Sequence, residues 1–199
     1  MKIDVRLCLL AACLAFPPMD TRAEWQAVEK VQPYAIAGRS GAELYASIGE
    51  RGPKAGGLGR AIAHTNFKLT WTRKYEVQGD ACVLVSARPK LIITYTLPKP
   101  SEPLAVDTKK NWEAFSAGVH KHELVHGDHI KDMVKKIEAA TVGLTVPADP
   151  DCKKIKTEMT TRLGALSRAQ RQQSRDFDRM DLSDGGNIHQ LILALVNGH

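Results

Sequence analysis

The chain has 199 residues, of which 43% are hydrophobic and 25% are charged, and its formal net charge is +6 at pH 7. This length accommodates one domain with a sizeable core, and the composition excludes a disordered chain and a bundle of membrane helices. The lysine pairs are scattered along the chain, at Lys109-Lys110, Lys135-Lys136 and Lys153-Lys154, so we expect no nucleic-acid partner.

The first 23 residues have the features of a secretory signal peptide. Lys2 and Arg6 precede a short apolar run, Leu7–Phe16, and two prolines and a terminal Ala23 follow it. The run is too short to span a bilayer, so we predict no stable membrane span. We predict cleavage near Ala23, export to the periplasm or the medium, and a single domain over residues 24–199. Lipoprotein processing at Cys13 is the alternative, which we rank second because the apolar run continues past that cysteine.

The next eighty residues predict four strands and one short helix. Tyr34–Gly38 has the pattern of a short strand, and Ser40-Gly41-Ala42-Glu43 has the form of a capping box that opens a helix to about Glu50. Three further segments are rich in alternating or β-branched residues and suggest a small antiparallel sheet of meander type: Thr65–Glu76, Cys82–Ala87 and Lys90–Leu97. Arg88-Pro89 separates the last two, and the proline-rich Leu97–Pro103 is expected to be an extended connector.

Two long helices are predicted in the second half of the chain. Apolar residues and histidines recur at spacings of three, four or seven over Lys109–Ala140, and a second apolar stripe runs through Asp151–Met180. A turn-rich segment, Asp181–Asn187, then precedes a short terminal helix, Ile188–Val196. The predicted fold class is therefore α+β, with the small antiparallel sheet packed against two long helices.

Two cysteines, Cys82 and Cys152, remain after the signal peptide is removed. In an oxidising compartment such a pair is best explained by one disulfide, which would bracket the first long helix. Two zinc-binding thiolates are the less favoured alternative, because neither cysteine has a close Cys or His partner at finger spacing.

The first long helix contains the pattern His-Glu-x-x-His, which is typical of zincins. On a helix, His122 and His126 lie on one face, where both imidazoles can reach one metal ion, and both belong to the inward apolar stripe. Glu123 lies beside them, where it can activate a metal-bound water as the general base. We therefore predict one catalytic Zn²⁺.

The motif does not supply the third zinc ligand. His129 lies a further turn along the same helix, and Glu158 lies on the second long helix. The remaining candidates lie in or beside the irregular segment that follows it, and we favour this group: Asp178, Asp181, Asp184 and His189.

The chain also resembles the bacterial DUF922 family, which is described as secreted zinc-dependent proteases. The resemblance covers about Tyr34 to Gly185 and follows these residues in order: Tyr34-Ala35-Ile36-Ala37-Gly38, Leu44, Gly52-Pro53, His64-Thr65, Trp71, Cys82, Leu97-Pro98, Trp112 and His122-Glu123-x-x-His126. It implies a zincin-like site with His122 and His126 as ligands and Glu123 as acid/base. The family pattern ends in His-Gly where this chain has Asp184-Gly185. The resemblance thus suggests Asp184 as the third ligand, or else weak zinc binding.

The sequence therefore favours an exported zinc peptidase that acts on a peptide or protein substrate. The first alternative is a non-catalytic periplasmic module with a degenerate site that binds a metal or a partner. A second alternative is a metal-dependent hydrolase of another amide, for example in the cell wall.

Overall fold

The structure, a computed structural model, describes residues 25–54 and 59–198. The elements within them are β1 (Val28–Ile36), α1 (Gly41–Arg51), β2 (His64–Gln78), β3 (Ala81–Pro100), α2 (Val106–Thr141), β4 (Thr145–Val146), α3 (Lys154–Leu182) and α4 (Asn187–Asn197). This arrangement confirms the predicted α+β class. The predicted signal peptide lies outside the described residues. Among those that are described, no helix has both the length and the apolar character needed to cross a bilayer.

The sheet has the strand order β1-β3-β2, and β4 pairs with the start of β3. β2 and β3 form the predicted antiparallel hairpin, but β1 pairs with β3 in parallel, from Val28 opposite Ile92 to Ile36 opposite Pro100. The three segments predicted as an antiparallel meander are two strands, β2 and β3, because the last two segments are continuous. β1, which contains the first three residues of the predicted strand Tyr34–Gly38, joins them in parallel beside β3. Among the described residues, one edge of β2 has no strand partner.

β3 is continuous over 20 residues, so the predicted break at Arg88-Pro89 is wrong. The predicted connector is wrong as well for its first part, because Leu97–Pro100 belongs to the strand. The prolines lie where β3 has a strand neighbour on one side. Pro89 is opposite β2 in a stretch that neither β1 nor β4 reaches. Pro98 and Pro100 are beside β1, beyond the last pair with β2 at Thr96. A strand tolerates proline at such positions because no partner requires the missing N–H.

The main core lies between the sheet and helices α1, α2 and α4. Its fully buried side chains include Ile36, Leu44, Ile93, Tyr95, Phe115, Val134 and Leu195. Helix α2 lies close to the sheet at Gly127, where an added Cβ would lie 2.1 Å from the hydroxyl oxygen of Tyr95. The glycine therefore allows α2, and with it the neighbouring His-Glu-x-x-His motif, to pack close to the sheet.

A second, smaller core surrounds the predicted disulfide, which the structure contains. Cys82 on β3 is bonded to Cys152, just before α3, and Leu84, Ile155 and Met159 pack beside it. This bond fixes the start of α3 against the sheet. The helix then runs past its predicted end at Met180 to Leu182, so Asp181 is helical rather than part of a turn.

Candidate metal centre

The two motif histidines lie on the face of α2 that is turned towards the protein interior. The buried Val119 and Ile130 lie on the same face of α2, so the apolar packing of this face keeps the two histidines buried. His122 is 7% exposed and Glu123 is 5% exposed. Polar groups this deeply buried are retained in proteins when they have specific partners.

Three potential ligand atoms converge at this point. Nε2 of His122 and Nε2 of His126 are 3.1 Å apart. The carboxylate of Asp178, on α3, places its Oδ1 3.2 Å from the first and 2.8 Å from the second. The packing of α3 against α2 thus completes a triangle of two imidazoles and one carboxylate.

This triangle has dimensions that suit a tetrahedral zinc ion. Zinc–nitrogen and zinc–oxygen bonds of roughly 2.0–2.1 Å place neighbouring ligand atoms about 3.3 Å apart in a tetrahedron. The observed separations of 2.8–3.2 Å are close to this value. Two histidines and one carboxylate also leave the fourth position open, as catalytic zinc sites do.

Groups around the triangle fix the orientation of the His122 ring. Asp181, one turn after Asp178 on α3, places Oδ2 2.7 Å from Nδ1 of His122, so the other ring nitrogen faces the triangle. The ring of Phe177 stacks on His122 at a centroid distance of 4.7 Å. Such carboxylate–histidine contacts hold a ligand ring in position and increase its basicity.

The electrostatics favour a proton on His122 when no metal competes for its ring nitrogen. Burial disfavours a charged His122, but its hydrogen bonds with Asp178 and Asp181 outweigh burial and raise the pKa of His122. Burial opposes ionisation of Asp178 as well, yet the two histidines hold its pKa well below the usual value. A metal that binds to His122 must displace this proton, so its affinity depends on pH.

Glu123 lies beside the triangle and has a partner of its own. The hydroxyl of Thr65, at the start of β2, lies 2.5 Å from Oε2 of Glu123 and 3.1 Å from the carbonyl oxygen of the same residue. This contact joins the sheet to the motif and limits the rotamers that the carboxylate can adopt.

The site opens into a cleft of about 940 Å³, which is at the upper end of the usual size for small-molecule sites. Helices α2 and α3 supply part of its wall, and every residue from Arg60 to Phe67 supplies another part. Side chains of a strand alternate between its two faces. Within β2 the lining residues are the consecutive 64–67, which include side chains of both faces, so the cleft follows an edge of this strand. Among the described residues β2 pairs with β3 alone.

The structure brings together some of the predicted site residues and leaves others apart. His122, Glu123, His126 and Asp178 share the cleft. Asp184 has a fully exposed side chain whose nearest ionic neighbour is His189, at 3.9 Å, so the structure does not place it in the triangle. Asp184 lies in the loop between α3 and α4, while α3 already presents Asp178 to the histidines.

Two other candidates also lie apart from the triangle. His129 contacts Ser174 at 3.4 Å, and burial, together with the charge of His126, lowers the pKa of His129. Glu158 pairs with Arg162 on the exposed face of α3, and about 30 Å of helix separates it from Asp178.

The sequence reasoning missed the supporting roles of Thr65, Phe177 and Asp181. A helix extended past Met180 would have placed Asp178 and Asp181 on one face, because residues three apart on a helix are neighbours. The family resemblance includes His64-Thr65, but no local pattern links Thr65 to Glu123, since the two residues are 58 positions apart.

The DUF922 family model matches residues 31–186. The chain belongs to the DUF922 family. The description of that family is "Bacterial protein of unknown function", so DUF922 membership confirms the predicted relationship and assigns no activity. No curated protein and no solved structure matches this DUF922 chain.

Proposed function

We propose that this protein is an exported zinc-dependent peptidase. In this proposal His122, His126 and Asp178 hold one Zn²⁺, and Glu123 is the general base. The observation that carries it is the triangle of ligand atoms 2.8–3.2 Å apart, with a second carboxylate beside it in an open cleft.

The residues of the site have distinct roles in this proposal. A bound zinc ion would supply Lewis-acid polarisation and lower the pKa of water at the site. Glu123 would take the proton from the attacking water and return it to the leaving amine. Thr65 is a positioning residue for Glu123, and Asp181 is a positioning residue for His122.

The free edge of β2 supports a peptide as the substrate. The first residues of β2 line the cleft, and its outer edge presents backbone N–H and C=O groups that no described strand pairs. An extended peptide would bind there as an additional strand, with its backbone close to the metal ligands. This edge favours a peptide over another kind of amide.

The disulfide supports the exported location. Disulfides persist in oxidising compartments and are rare in a reducing cytosol. The bond between Cys82 and Cys152 is therefore what a periplasmic or secreted protein would contain.

The proposal is tested with a matched pair of glutamate variants on α2. Glu123→Gln should retain about one zinc per chain, as measured by atomic absorption, because Glu123 is not among the proposed ligands. Its hydrolysis of a panel of denatured proteins should fall by about 10²–10⁴-fold, which is the usual contribution of a general base. Glu113→Gln is the control, since Glu113 is exposed on the same helix and pairs with Lys109.

The other outcomes are equally informative. Equal cleavage by Glu123→Gln and Glu113→Gln would refute the role of Glu123. Zinc far below one equivalent in the parent protein would indicate a degenerate, non-catalytic module. Cleavage of muropeptides without cleavage of denatured proteins would assign the activity to a cell-wall amide.

A further inference from the structure

The cleft wall is rich in arginine. Arg60, at the entrance to β2, and Arg171 and Arg175, on α3, all line it. The carboxylates in the same lining are Glu123 and Asp178, which the proposed chemistry already uses. The three positive and two negative side chains give the lining a net charge of +1, and a bound Zn²⁺ would raise this net charge to +3.

These arginines are available to a ligand. Each bonds to a neutral acceptor: Arg60 to the carbonyl oxygen of Gly52, Arg171 to Ser167 and Arg175 to Gln172. Within residues 25–54 and 59–198, no carboxylate lies within ion-pair distance of any of the three. Two other arginines on the same helix do have carboxylate partners, since Arg162 pairs with Glu158 and Arg179 pairs with Asp176.

Two of the arginines lie at known distances along α3 from Asp178, the proposed metal ligand on that helix. Arg175 precedes Asp178 by three residues on α3, and Arg171 precedes it by seven. On a helix these separations correspond to about 4.5 and 10.5 Å along the axis. An extended chain advances about 3.3 Å per residue. A peptide that runs alongside α3 would therefore place carboxylates one to three residues from the cleaved bond opposite these arginines.

We infer that the cleft selects acidic peptide segments, with Asp or Glu within about three residues of the cleaved bond on one side. This inference rests on the proposed peptidase function and specifies its substrate class. Arginine and carboxylate groups form charge-assisted, often bidentate hydrogen bonds. Charges at the rim of a site act mainly on the association rate and on its salt dependence.

The test uses three fluorescent peptides of equal length and apolar content, in which the variable residues are Glu, Gln or Lys. Binding to the zinc-loaded Glu123→Gln protein is measured by anisotropy at low and high salt, and cleavage by the parent protein is measured separately. We expect the Glu peptide to bind most tightly at low salt. Arg171→Gln and Arg175→Gln should each weaken its binding by about two- to fivefold, as expected for exposed ion pairs. Binding of the Gln peptide should not change.

Arg168→Gln is the matched control. Arg168 is exposed on the same helix, its guanidinium lies back towards Gly164, and it is not part of the cleft lining. Equal binding of the three peptides, or an equal loss in Arg168→Gln, would overturn the inference. Tighter binding of an oligonucleotide of equal charge would overturn the assignment to peptides.

The two proposals fail in different ways. Arginine-dependent binding of the Glu peptide without cleavage by the parent would leave the charge preference intact and contradict the peptidase function. Cleavage of all three peptides at equal rates would support the peptidase function and contradict the charge preference.

Discussion

Replacing Gly127 with alanine is expected to destabilise the fold, although alanine is the better helix former. The added Cβ would lie 2.1 Å from the Tyr95 hydroxyl oxygen, and ordinary contact begins at 3.4 Å, so the two must separate by 1.3 Å, the difference between these distances. Tyr95 is 1% exposed, and its hydroxyl donates a 2.6 Å hydrogen bond to Glu29. The tyrosine therefore has little room to move without losing that bond.

The expected loss of stability in Gly127→Ala is the sum of three contributions. Overpacking costs about 1–3 kcal/mol, and loss of a hydrogen bond to a charged acceptor costs about 1.5–3 kcal/mol. The higher helix propensity of alanine offsets about 1 kcal/mol of this. The free energy of unfolding should therefore fall by about 1.5–5 kcal/mol. In a domain of this size, such a change lowers Tm by roughly 3–20 °C.

Thermal and urea unfolding, followed by circular dichroism, would measure the change. Gly164→Ala, on α3, is the control: the nearest atom to its added Cβ is the mobile end of Arg168, at 3.3 Å, so we expect stability to rise by up to about 1 kcal/mol. Tyr95→Phe removes the clashing oxygen, so the double variant with Gly127→Ala should lose less than the two single changes together. A Gly127→Ala protein as stable as Gly164→Ala would refute this reasoning.

Three further predictions concern the disulfide, the metal and pH. Reduction of the disulfide, which closes a loop of 70 residues, should lower the free energy of unfolding by about 4 kcal/mol in urea titrations; an unchanged midpoint would contradict this. Asp181→Ala should weaken zinc binding by about 10–100-fold in chelator competition, whereas Asp184→Ala should match the parent; equal losses would return Asp184 to the ligand set. The Tyr95 hydroxyl and the Lys131 ammonium lower the pKa of Glu29 below 4.5, so its ionised form stabilises the fold above that pH. The Tm advantage over Glu29→Gln should disappear as the pH falls from 4.5 through the lowered pKa of Glu29.

Local patterns were sufficient for the elements that depend on helical periodicity. The apolar stripe of α2 correctly placed His122 and His126 on the inward face, because residues three and four apart share one side of a helix. The capping box at Ser40 and Glu43 likewise begins α1 as predicted. Cysteine count and compartment were enough to pair Cys82 with Cys152.

The sheet depended on features that are not local. The strand β3 can contain Pro89, Pro98 and Pro100 because each of them is paired with a neighbouring strand on one side only. The parallel pairing of β1 with β3 likewise joins segments more than 60 positions apart, from Val28 to Ile92. Neither fact can be inferred from propensity alone.

The sequence by itself determined the two histidines, the neighbouring glutamate and the disulfide, because each follows from spacing or from residue count. Tertiary structure decided that Asp178, rather than Asp184, stands beside those histidines, and that Thr65 holds Glu123. These contacts join residues more than 50 positions apart, and their distances are set by how α3 packs against α2 and how β2 lies beside the motif. Local sequence determines which face of a helix a side chain occupies, whereas packing between elements determines which residues that face contacts.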